Sequence, residues 1–308
     1  MPASAVPAAG ARRRCAPESP QSPEGACAMP DCIVETTPEG VRLIRLNRPE
    51  RLNTMGGTLI VSINEAIRSG EQDDSVRAFV VIGEGRAWCA GADLKDPAVE
   101  AFPGAGPGGR RAEAIDYLGG AGRTVLTICR GSKPVIAAIN GVTVGGGLGL
   151  ALCMDIRIAS EEARFSTVFI SRGLAPDFGL SWFLPRLVGP ERAAELFFTA
   201  RMIDAQEALR IGMVSKVVPH AQLLDETMAL ARKIASQPPS ALTYTRRDLQ
   251  YAMSSTLEQH LEYEWANQRM QIASPEFTEG LAAFLERREP DWARAWATDT
   301  GPFWTQGR

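Results

Sequence analysis

The chain has 308 residues, 45% of them hydrophobic and 22% charged, proportions that allow a sizeable globular core. A formal net charge of −3 excludes the basic excess that nucleic-acid surfaces carry. The longest apolar stretch, Gly141 to Met154, is glycine-rich and falls short of the roughly 18–20 residues of a membrane span. Cys15, Cys27, Cys32, Cys89, Cys129 and Cys153 show neither CxxC nor zinc-ligand spacing, which reads as free thiols in a reducing compartment and places the protein in the cytoplasm. His220 and His260 are the only histidines, which weakens any Ser–His–Asp, Cys–His or histidine-rich metal mechanism.

Residues 1–28 are rich in Pro, Ala, Ser and Gly without apolar periodicity, so they read as a disordered tail. Ile33–Thr36 and Val41–Leu46 form a hairpin pattern around Thr37-Pro-Glu-Gly40. Helical spacing then runs from Met55 to Ser69 and stops at Gly70, followed by a buried strand over Val76–Ile82. Residues 96–112, dense in Gly and Pro, read as a mobile loop. Lys133–Ile139 is a strand that leads through glycines into a helix over Gly146–Cys153, and Ile156–Ala159 and Arg164–Ser166 are further strands. Strands alternating with helices predict an α/β architecture. After a capped start at Asp204-Ala-Gln-Glu207, helical patterns occupy 221–236, 241–252, 256–273 and 275–288, and strands are not expected there.

Two strand ends carry the signal for chemistry. Trp88-Cys-Ala-Gly-Ala-Asp-Leu-Lys95 follows the strand 76–82, and Asn140-Gly-Val-Thr-Val-Gly-Gly-Gly-Leu-Gly149 follows the strand 133–139. Small residues let a ligand approach backbone N–H groups, and a helix start offers unpaired donors and positive potential. A triple glycine before a helix also serves as a plain packing turn. The pattern lacks GK[ST] and a true GxGxxG, so neither a P-loop nor a dinucleotide fingerprint is present.

Six segments in register narrow the choice: Leu46-Asn-Arg-Pro-Glu-Arg-Leu-Asn53, Ala90-Gly-Ala-Asp-Leu94, Lys133-Pro-Val-Ile-Ala-Ala-Ile-Asn-Gly141, Gly145-Gly-Gly147, Met154-Asp-Ile-Arg157 and Leu184-Pro-Arg-Leu-Val-Gly189. Over residues 31–290 the chain resembles the enoyl-CoA hydratase/isomerase (crotonase) family. The resemblance implies an α/β fold, a crotonase-type spiral of ββα turns over residues 29–220. A C-terminal helical oligomerisation region over 221–290 and a tail over 291–308 would follow. It also implies a homo-trimer or homo-hexamer and an acyl-CoA thioester as substrate, with no metal or redox cofactor and no nucleic-acid or membrane partner.

By position, the resemblance makes the amides of Ala92 and Gly146 an oxyanion hole. Ala90, Gly91, Ala92, Asp93 and Leu94 would lie along CoA, with Arg51 and Lys95 as candidates for its phosphates. Asp93 reads better as a structural cap than as an acid. Family hydratases carry two glutamates, whose positions here hold Gly149 and Phe169, so efficient hydration is not expected. Asp177, in Gly173-Leu-Ala-Pro-Asp-Phe-Gly179, resembles the segment where several family isomerases place their single acid–base residue. A Pro-Asp-x-Gly turn explains the same Asp by geometry alone. Phe169, Phe178 and Trp182 would make the acyl pocket apolar, and Glu113 and Asp116 are the next candidates for a base. An isomerase is the favoured expectation, with a hydratase, a hydrolase or a non-catalytic CoA-thioester scaffold as alternatives.

Overall fold

The computed structural model describes residues 30–96 and 118–297. The expectations of a disordered tail over 1–28 and of a mobile loop beyond Asp96, with Glu113 and Asp116, fall outside these residues. Within them the strands are β1 (Cys32–Thr36), β2 (Val41–Leu46), β3 (Ala78–Gly83), β4 (Ala87–Cys89), β5 (Val135–Ile139), β6 (Val142–Val144), β7 (Ile156–Ser160), β8 (Arg164–Ser166), β9 (Ile203–Asp204) and β10 (Lys216–Val218). The hairpin closes as its turn residues predict, with Val34 opposite Ile44 and Gly40 at a φ of +84°.

One sheet has the order β1-β2-β3-β5-β7-β10 and is parallel beyond the hairpin; the other has the order β4-β6-β8-β9. The pairs β3/β4, β5/β6 and β7/β8 each contribute one strand to each sheet, so the chain winds between two layers as it advances. That winding is the crotonase spiral. It also stacks the end of β4 beside the end of β6, because those two strands are paired.

The continuous apolar run of β3 is explained by cover on both faces, since all six residues are buried. Phe79 and Val81 enter the main core with Leu59, Ile63, Trp88 and Val135. Ala78, Val80 and Ile82 enter a second core against Met228 and Ala231 of the helix Leu223–Ala235. Each wholly buried large side chain stabilises by roughly 1.5–3 kcal/mol. The helix Leu223–Ala235 belongs by sequence to the C-terminal helices, yet it packs on the outer face of the first sheet.

Several elements differ from the sequence expectation. Strands β9 and β10 lie in a stretch where none was expected, and helices Gly119–Cys129, Leu180–Val188 and Pro190–Thr199 were not anticipated. Strands of two or three residues carry no readable period. Pro185 inside Leu180–Val188 looks like a helix breaker in the sequence. The predicted cap holds, because the Asp204 side chain accepts from the Glu207 amide at 2.8 Å. Glu207 itself turns to Arg201 rather than back to the cap.

Helices Leu257–Ile272 and Pro275–Glu286 close the fold, the first on a reciprocal Thr256/Gln259 capping box. They are tied in by polar contacts: buried Glu276 accepts from the Ser240 hydroxyl and amide at the start of helix Pro239–Ala252. Much of their apolar surface is left exposed by the other described residues, with Leu257 74% and Phe284 79% exposed. A short helix, Trp292–Ala297, opens the stretch read as a tail and sets Trp292 against Gly280.

Candidate active site

After β4 the chain turns at Gly91, whose φ of +84° L side chains rarely adopt. A Cβ there would meet the Val144 carbonyl at 3.0 Å and the Gly146 nitrogen at 3.6 Å. The two segments that the sequence singles out therefore abut at backbone level. Met55 donates to the Gly91 carbonyl at 2.7 Å and accepts from the Asp93 amide at 3.3 Å, a one-residue parallel bridge around Ala92. Neighbours of Ala92 thus spend their polar groups on Met55, while the Ala92 N–H points to the other side. Among the described residues it has no acceptor, and Ala92 is exposed.

The second segment turns at Gly145, whose amide donates to the Ser166 carbonyl at 3.0 Å. Gly146 then starts the fully buried helix Gly146–Leu152. As the first helical amide it has no intrahelical partner, and no other acceptor is found for it among the described residues. Gly147 lies directly against the Cys89 carbonyl, a contact that lets the helix settle on β4. Two unpaired N–H groups on one patch of backbone, one of them at a helix N-terminus, can hold an oxygen that gains negative charge without reorganising.

Asp177 approaches this patch through its neighbour. Phe178 is buried at a φ of +48°, and its ring lies 3.1 Å from where a Gly146 Cβ would sit, with the Met55 sulfur at 3.4 Å from the same point. Phe169 is 8% exposed and its ring reaches within 4.0 Å of the corresponding point on Gly145. Val168, just before it, has a φ of +41°, a rare conformation for a β-branched residue, and a tight Phe169-to-Thr167 amide bond of 2.6 Å spans it. Asp177 itself is exposed to solvent beside these buried rings. Partial desolvation by its neighbours pushes its carboxyl up to about 6, against the opposing pull of its own backbone amide. It is thus held in the range useful for taking and returning a proton near neutral pH.

The remaining candidates separate clearly. Asp93 is 5% exposed, pairs with Arg48 at 3.3 Å and Arg51 at 3.7 Å, and accepts from the Lys95 amide at 3.2 Å. That is the structural clamp, and it holds the Ala90–Leu94 turn in place. Arg51, Leu94 and Lys95 are exposed or half-exposed beside it, and Ala90 is anchored through its amide to the Leu52 carbonyl at 3.0 Å. Trp182 is 44% exposed, with the Arg186 guanidinium 3.3 Å over its ring. Phe178 thus reaches Gly146 and Phe169 reaches Gly145, while the described ring contact of Trp182 is with Arg186. His220 bonds Ser160 at 3.0 Å, in keeping with a structural role. Met55 and Val168 are site residues that the sequence reading missed, because Met55 sat at the start of a predicted helix and Val168 within an unremarkable strand end.

A two-sheet spiral with adjacent free amides at the ends of β4 and β6 defines a crotonase-type acyl-CoA enzyme. The comparisons agree. The sequence profile of the enoyl-CoA hydratase/isomerase family matches residues 36–295, and the chain belongs to that family. A probable enoyl-CoA hydratase of Mycobacterium tuberculosis is 39% identical over 265 residues, covering 84% of this chain and 91% of that protein. The 1,2-epoxyphenylacetyl-CoA isomerase of Escherichia coli is 36% identical over 264 residues, covering 86% and 99%. Among solved structures, an enoyl-CoA hydratase from Bacillus anthracis superposes with a TM-score of 0.77 at 32% identity, covering 85% of this chain and 99% of that one.

Proposed function

We propose that this enzyme is an enoyl-CoA isomerase that moves a double bond with Asp177 as its single acid–base residue. Asp177 takes a proton from C2 of a 3-enoyl-CoA, the electron pair delocalises onto the thioester oxygen, and the amides of Ala92 and Gly146 hold that oxygen. The same carboxyl then returns the proton at C4, leaving a 2-enoyl-CoA. Ala90, Gly91, Asp93 and Leu94 shape the CoA track, Arg51 and Lys95 meet its phosphates, and Phe169 and Phe178 line the acyl pocket. One base and two backbone donors suffice for this route, so it calls for no resident metal or redox cofactor.

The observation that carries the reading is one desolvated carboxyl on the turn whose Phe178 ring covers Gly146, whose amide, like that of Ala92, has no acceptor among the described residues. By the family resemblance, Gly149 and Phe169 stand at the positions of the hydratase glutamates. Hydration needs one group to take a proton from water and another to deliver one. The hydratase reading keeps a specific argument of its own, namely the 39% identity to a probable hydratase. We also propose a trimeric or hexameric assembly, supported by the apolar faces of Leu257–Ile272 and Pro275–Glu286 that the other described residues leave exposed. The free cysteines support a cytoplasmic setting.

Turnover of 3-enoyl-CoA and 2-enoyl-CoA thioesters with product identification tests the reading. Conversion of the 3-enoyl to the 2-enoyl isomer is expected. Formation of 3-hydroxyacyl-CoA from the 2-enoyl substrate at a comparable rate would favour the hydratase. Release of free CoA would favour a hydrolase, and binding without turnover a scaffold.

A further inference from the structure

Gly149 lies one helical turn after Gly146, so the two glycines form a bare strip along the buried helix Gly146–Leu152. Phe178 lies along that strip. Its ring covers Gly146, and a Cβ built on Gly149 would stand 2.6 Å from the Phe178 Cβ. The same point would be 3.0 Å from the Phe178 carbonyl and 3.2 Å from the Asp177 carbonyl. Two of these three neighbours are backbone atoms, so rotation of a side chain cannot make room. The turn they belong to is already forced, with Phe178 at a φ of +48° and Gly179 at +68°.

From this geometry we infer that Gly149 is a positioning residue, whose missing side chain lets the Asp177–Phe178 turn dock on the helix and so sets the distance from base to oxyanion amide. The inference rests on the proposed role of Asp177 and deepens it. Gly149 touches no substrate; it acts through the backbone of the turn. The helix that supplies the Gly146 N–H is also the surface on which the base-bearing turn rests, so one element fixes both halves of the site. Any Cβ at 149 must lift the turn, carrying the Asp177 carboxyl outward and into fuller contact with water. Among the described residues no charged side chain contributes to the Asp177 shift, so the desolvation that raises its pKa is what lifting would relieve.

Gly149→Ala is the test, with isomerisation of a 3-enoyl-CoA and binding of a saturated acyl-CoA measured side by side. The inference predicts a fall in kcat of tenfold or more, an acyl-CoA Kd within about twofold of the parent, and an acid limb of kcat moved to lower pH. A variant merely loosened in its fold would keep the parent limb. In a Phe178→Gly background the Cβ–Cβ clash is gone, so adding Gly149→Ala should cost clearly less than it does alone. Equal costs in the two backgrounds, or an unchanged kcat and pH limb in Gly149→Ala, would overturn the inference. Should Gly149→Ala not fold, Phe178→Gly releases the turn from the other side and must itself lower the limb; a limb that stays in place overturns the inference. Asp177→Asn separates this from the parent reading. If Asp177→Asn keeps its turnover, the base assignment fails; if it loses turnover while Gly149→Ala behaves as the parent does, only the role of Gly149 fails.

Discussion

The two halves of the proposed site are built in opposite ways. The amides of Ala92 and Gly146 are main-chain groups fixed at the ends of paired strands, bracketed by Met55, Ser166 and the Cys89 carbonyl. Asp177 is one side chain on a turn between a 3-10 helix and Leu180–Val188, partly open to solvent and held by its neighbour's ring. The first half is robust, since no side-chain deletion removes its donors. The second is tunable, because one substitution changes the proposed base. A family that keeps the first half and varies the second can change its reaction without rebuilding its fold.

Substitutions sharpen this contrast. The largest effect falls on the tunable half: Asp177→Asn keeps the side-chain size but cannot accept a proton, so kcat should drop by roughly 10²–10⁴-fold with acyl-CoA affinity preserved. Steady-state kinetics beside calorimetric titration with a saturated acyl-CoA check this. Next comes an attack on the backbone half. Gly91→Ala places a Cβ 3.0 Å from the Val144 carbonyl at a φ of +84°, which should tilt the Ala92 amide away. Loss of one such donor costs about 10²–10³-fold in kcat, and here a weakened acyl-CoA Kd should accompany it. An intact kcat in Gly91→Ala would mean that the Ala92 amide is not a donor.

A smaller effect concerns the fold that carries both halves. Phe79→Ala empties a wholly buried position in β3 and should cost about 3–5 kcal/mol in chemical denaturation. Residual native enzyme should keep its kcat, because Phe79 lies within β3 and not on the Trp88–Lys95, Asn140–Gly149 or Asp177 segments. The smallest effect is expected at Trp182. The residue is 44% exposed and its ring lies under the Arg186 guanidinium, so Trp182→Ala should change kcat less than about threefold, as an ordinary surface substitution does. A tenfold loss would instead place Trp182 in the acyl pocket.

What the sequence made legible follows the same division. Glycine-rich strand ends are local signals, so the Trp88–Lys95 and Asn140–Gly149 segments were readable before any coordinates, while their meeting was an expectation of the family resemblance. Phe178 and Trp182 are four residues apart and look like one helical face. Helix Leu180–Val188, however, begins only after two left-handed residues, Phe178 and Gly179, so periodicity does not carry across them. The docking of Phe178 on Gly149 was unreadable for another reason: absence of a side chain leaves no mark in a periodicity. Strands β4, β9 and β10 are held by register with long-range partners, and two or three residues cannot announce that on their own.

The account stands most directly on the ionisation of one carboxyl. The dependence of kcat on pH for 3-enoyl-CoA isomerisation, in the parent enzyme and in Asp177→Asn, reads it. Asp177 must be ionised to accept a proton, and burial has raised its pKa, so parent activity should fall on acidification with a midpoint near 6. The residual rate of Asp177→Asn should show no limb there. A limb near 6 that persists in Asp177→Asn would contradict the account and place the base on another residue.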